Sequence, residues 1–196
     1  MAFDLLHVFN RMMTNLTAVV LAAAIAGGCA GQSVTTAKPG QGETSAGIDA
    51  LRAATRPFAS LDSAAAAGYA RTVADCLVHE HHGAMGYHHL NRSYLAHDIE
   101  IGKPQILLYE RMPDGAYKLN GVEFIIPYRL WPRDSVAPTL MGQTLHREDN
   151  LKIWYLHAWV WRDNPNGVFS NFHPDVTCPE STRKVYTPFP PDSTFR

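Results

Sequence analysis

No surplus of positive charge marks this chain: 17 Lys and Arg stand against 18 Asp and Glu, and nothing gathers the basic ones into a cluster. Neutralising a phosphate backbone needs such a cluster, so a nucleic-acid partner is excluded. The apolar run at residues 16–26, LTAVVLAAAIA, has eleven residues, where a membrane-spanning helix needs about 20. There is no G-x-S-x-G nucleophile elbow. H-E-x-x-H is also missing, because Glu80 follows His79 but Gly83 stands where the second histidine would be. The H-x-H of His79 and His81 lacks the glutamate of a cupin motif, and Ser170 occupies the place of the second cupin histidine.

Cysteine is scarce, with three in 196 residues. The apolar run is short and ends in small residues, as the core of an export signal should. It leads into AGGC at 26–29, which resembles a bacterial lipoprotein box with Ala26 in place of the usual large aliphatic residue. Residues 1–28 are therefore expected to be a signal peptide and Cys29 a lipidation site anchoring the chain to a membrane. Simple secretion with cleavage near Ala26 is the alternative. Lipidation would leave Cys76 and Cys178 as a pair, which an oxidising compartment lets form a disulfide; two unpaired thiols are the other reading.

Hydrophobic residues make up 46% of the chain, enough for a proper core. Residues 29–57 are mostly small and polar and read as a flexible tether. Residues 58–196 read as a single α+β domain with an extended, proline-rich C-terminal tail. One main helix is expected at 60–80, where Leu61, Ala65, Tyr69, Val73 and Leu77 recur at spacing four. It would pack on a curved antiparallel sheet. QILLYER, a Pro113-Asp114-Gly115 turn and YKLNGVEFIIPY spell strand, turn, strand. Asn120-Gly121 is expected to be a bulge within the second strand, with Gly121 at positive φ. IWYLHAWVW (153–161) alternates two faces, Trp154, Leu156, Ala158 and Val160 against Ile153, Tyr155, His157, Trp159 and Trp161. Neither face is polar, so the strand should be central.

Five of the ten histidines fall in HEHHGAMGYHH, residues 79–89. Neutral imidazole is the commonest transition-metal ligand. His79, His81 and His88, joined by His157 from the distant strand, form a candidate zinc or copper site, with Glu80, Glu123 or His146 in support. The bland alternative is solvent-facing histidines at 79–82 and satisfied core histidines at 88 and 157. Glu110 and Glu123 could face each other across the hairpin as a carboxylate pair. Tyr155, Trp159, Trp161 and Phe169 could line a small-molecule pocket.

HHLN (88–91), QILLYE, AYKLNGVEFII and HAW (157–159) occur in an order that resembles the oil-body-associated protein family of plants and bacteria. The chain also resembles a set of uncharacterised exported bacterial proteins sharing G-x-H-x-x-N and L-H-x-W-x-W-x-x-N-P-x-G-x-F. The resemblance spans residues 76–178. It implies a fold and a focus on His88, Asn91, Glu123 and His157, and no reaction. Two functions are expected from these readings. One is an exported, lipid-anchored protein holding a metal or small ligand; the other is a metal-dependent enzyme using the same histidines.

Overall fold

The computed structural model describes residues 41–179 and 183–185. The expected signal peptide, Cys29 and most of the C-terminal tail lie outside the described residues. The chain runs α1 (Gln41–Thr55), a 3-10 turn (Arg56–Ala59), α2 (Leu61–Ala66), β1 (Ala70–His79), β2 (Gly83–Leu90), a 3-10 turn (Arg92–Tyr94), β3 (Ile106–Arg111) and β4 (Tyr117–Pro127). A small ribbon, β5 (Thr139–Leu140) and β6 (Gln143–Thr144), precedes β7 (His146–Glu148), β8 (Ile153–Ala158) and β9 (Arg183–Val185). Six strands pair antiparallel in the order β7-β8-β4-β3-β2-β1, and β9 adds a parallel edge to β1. The result is an α+β fold with one main helix and a curled sheet.

That main helix is not the expected one. Ser60 caps a helix, accepting from the Ser63 N–H, but it lasts only six residues. Gly68 sits at φ +95°. The Gly68 N–H donates to the Ala65 carbonyl and the Tyr69 N–H to that of Ala64, the two bonds of a Schellman stop. Beyond it the chain pairs with β2 and β9 as β1. Sheet pairing on two sides thus outweighs the spacing-four pattern.

The main helix is α1, inside the stretch whose composition reads as tether. It has little apolar periodicity and is held by tertiary bonds instead. Leu51 is fully buried. Thr44 Oγ1 donates to the Met141 carbonyl and Arg52 Nε to that of Val160.

The pleat divides the sheet. Leu107, Val122, Phe124, Ile126, Trp154 and Leu156 share a core with Leu51 of α1 and Ala64 of α2. Leu90, Ile106, Leu108, Ile125 and Tyr155 form a smaller cluster on the other face. β4 is one continuous strand with Asn120 bulged, since Leu108 pairs with Gly121 and Tyr109 with Leu119. Gly121 is not at positive φ, as had been expected. It is needed for close approach: a Cβ there would stand 2.6 Å from the Ala158 carbonyl oxygen. β8 is central and buried, but its alternation ends at Ala158, where pairing stops.

Cys76 and Cys178 form a disulfide across 102 residues. It ties the loop after β8 to β1. In the chain-entropy account, a loop of that length is worth about 4–5 kcal/mol at most. Replacing both cysteines by alanine should lower the unfolding free energy by roughly 2–5 kcal/mol without altering the sheet. Urea denaturation followed by circular dichroism measures this, and an unchanged midpoint would contradict it.

Candidate metal centre

Three strands deliver the site. Glu123 on β4 lies directly opposite His157 on β8, so their side chains leave the same face. His88 on β2 is opposite Leu108 of the intervening β3. Two strand spacings, about 10 Å, separate its backbone from that of β4. Long side chains on the curled sheet close that gap. His88 Nε2 stands 3.6 Å from Glu123 Oε2, and His157 Nε2 stands 3.9 Å from the same oxygen. One donor atom from each residue falls within 4.8 Å of the others. All three side chains are buried.

These separations are informative. Hydrogen bonds between nitrogen and oxygen run about 2.7–3.2 Å, and the gaps here are wider. Two donors bound about 2.1 Å from one ion at a tetrahedral angle stand about 3.4 Å apart. The three atoms are spaced for a shared cation better than for each other.

His157 is oriented from behind. Asn171 Nδ2 donates to the Tyr155 hydroxyl at 3.1 Å, which turns Asn171 Oδ1 toward His157 Nδ1 at 3.3 Å. The ring proton is thereby assigned to Nδ1, and the Nε2 lone pair faces the site. That Nε2 has no hydrogen-bond partner.

Burial sets the electrostatics. Desolvation lowers His88 to about 4, a contact with the Gly86 backbone opposing it and the charge of His89 adding to it. Desolvation, then the proximity of His88, lowers His157 to about 3. Glu123 is pushed up to about 8, by burial first and then by the Glu148 carboxylate.

The other expected site residues lie elsewhere. His79 packs tilted against His82 and edge-on to Phe172 at the end of β1, and its Nδ1 accepts from the His81 N–H. His81 is exposed, with Glu80 beside it; neither joins the group. Asn91 is structural: Nδ2 donates to the Ala67 carbonyl, and Oδ1 accepts from Ser93. Trp159 leaves the strand, packs with Val78, Ala84 and Val176, and donates to the Ser170 carbonyl. Trp161 and Phe169 pack against the helix-side core, so the four aromatics form no common pocket and only Tyr155 lies at the site. Glu110 is opposite Lys118, not Glu123. It binds Arg162, Asn120 and the Thr177 N–H instead. His146 packs edgewise near Tyr155. Asn171 and Glu148 were missed, because Asn171 sits in polar loop sequence and Glu148 ends a three-residue strand too short to show a pattern.

No family model, curated protein or solved structure matches the chain. The site is defined by its own geometry, as a buried two-histidine, one-carboxylate group that could hold a metal ion.

The pH dependence of the metal-free protein follows from these shifts. Folded His88 and His157 refuse protons that unfolded imidazoles accept below about 6.5, so stability falls as pH drops from there. Folded Glu123 keeps its proton while an unfolded carboxyl has ionised, so stability also falls as pH rises from about 4.5 to 8. The net contribution of the site should peak near pH 6.5. Urea titrations with chelator present should show this at pH 5.5, 6.5 and 8. Glu123→Gln should flatten the alkaline side and steepen the acid side, where Glu123 no longer offsets the histidines; a decline on the alkaline side that survives the substitution would refute the assignment.

Proposed function

We propose that this is an exported, lipid-anchored protein that binds a transition-metal ion, zinc or copper, through His88, Glu123 and His157. The observation that carries this reading is the convergence of three buried donor atoms, one with a bare lone pair, at separations too wide for hydrogen bonds. Two neutral imidazoles and a carboxylate suit zinc, and imidazole also suits copper. Three protein ligands leave at least one coordination position open. That position, beside a cavity, favours a second reading as a metal-dependent enzyme.

Export is supported by the leader-like sequence and by the Cys76–Cys178 disulfide, a bond that persists in oxidising compartments. Among the described residues no helix is long and apolar enough to cross a membrane. A membrane partner would be reached through a lipid on Cys29.

Elemental analysis of untagged protein should find about one zinc or copper per chain. His157→Ala should abolish stoichiometric binding. Asn171→Ala should weaken it by roughly 10–100-fold, as loss of an orienting hydrogen bond does. No metal, together with no thermal shift on adding zinc or copper, would refute the reading. Intact mass spectrometry of the membrane fraction should find Cys29 as a lipid-modified N-terminal residue; an unmodified Cys29 in the mature chain would refute the anchor.

A further inference from the structure

The space beside the metal group has a chemistry of its own. A cavity of about 260 Å³ opens there, lined by Met85, Ile106, Ile125, Ile153 and Tyr155, with Leu151 at its mouth. Leu151 is 68% exposed. Pockets for drug-sized ligands run about 300–1,000 Å³, so this one suits something smaller. Its walls come from the sheet face opposite α1, where the polar groups are the three donors and Glu148. Met85 joins them because the register of β1 on β2 slips beside it, Leu77 pairing with Gly86 and Val78 with Ala84.

Glu148 marks the far end of this space. It is opposite Ile153 on β8, four residues from His157, or about 13 Å of strand. Its Oε1 accepts from the Asn150 and Leu151 N–H groups. From there it bounds the space at the end away from His157.

We propose that the cavity takes a short-chain aliphatic carboxylate, its headgroup on the metal and its tail along Ile106, Ile125 and Ile153. This rests on the metal-binding reading above. A divalent ion held by one carboxylate and two neutral imidazoles keeps a net positive charge. Within apolar walls that charge is weakly screened and favours an anion at the open position. Between the donor group and Glu148 the walls are apolar, so the rest of the ligand is hydrocarbon.

Full-length protein loaded with cobalt(II) tests this, since its visible spectrum reports ligands bound directly to the metal. Acetate, butanoate, hexanoate and hexylamine are titrated in turn, with metal content measured on the same samples. The dissociation constant should fall about threefold to fourfold for each added methylene, and hexylamine should bind more weakly than hexanoate. Ile125→Phe should remove the length dependence while leaving metal content and acetate affinity unchanged. Leu151→Ser, at an exposed position, should weaken hexanoate but not acetate. A chain that takes up no cobalt would overturn the metal reading and this one together. Cobalt uptake with a flat series, or with hexylamine equal to hexanoate, would overturn this one alone.

Discussion

The register of β4 on β8 is the constraint on which the site depends. Both strands are buried on both faces, so each residue goes either to the helix-side core or to the site. Glu123 opposite His157 places two ionisable groups on one face, while Phe124 opposite Leu156 places two apolar ones on the other. A slip of one residue would exchange these sets and drive a carboxyl and an imidazole into the core beneath α1. The apolar side chains of the helix face therefore fix the polar ones of the site face. Gln105 reinforces the arrangement: its Oε1 accepts from the Ile125 N–H, while its Nε2 donates to the Tyr94 carbonyl.

The loop after β8 brings the second requirement. Asn171 can orient His157 only if that loop is held against the sheet. Several anchors do this around it. Arg162 pairs with Glu110, His173 exchanges backbone hydrogen bonds with Ala84, the Thr177 N–H donates to Glu110, and Cys178 is bonded to Cys76. Glu110 is thus the hub of a structural latch, even though a carboxylate on a hairpin invites an acid–base reading. Because the disulfide belongs to the same latch, the redox state of the compartment is linked to the geometry behind His157.

What was legible in the sequence follows from range. The alternation in residues 153–161 and the Asn120 bulge are local patterns: the first put His157 on a central, buried strand, and the second kept Glu123 within one continuous strand. The pairing of His88 with His157 was approachable because each sat among apolar strand residues. The helix at 60–80 was misread, since a spacing-four pattern can be satisfied locally while two sheet partners compete for the same segment. α1 was hidden for the converse reason, its order coming from distant carbonyls and not from its own composition. Asn171 acts through a loop whose path is set by a disulfide and an ion pair, and neither leaves a mark on the residues beside it. HEHH drew attention by density alone. Its rings pack against one another and against Phe172, away from the buried set.

Density and burial point to different histidines, and burial is the better guide because it has a cost. An imidazole in a core normally uses both ring nitrogens, since a buried polar atom without a partner costs about 1–3 kcal/mol. His89, the neighbour of His88, lies on the other face against Tyr109 and Tyr117, an aromatic setting suited to a packed core residue. His157 faces two other donor groups. One nitrogen is committed to Asn171, while the other points at a carboxyl too far away to bond. Contracting the pair to hydrogen-bond length would satisfy them both, yet their strands hold them apart with His88 at a matching distance on the third side. A shared cation would remove that cost at His157 Nε2 and would lie within reach of the His88 and Glu123 donor atoms as well.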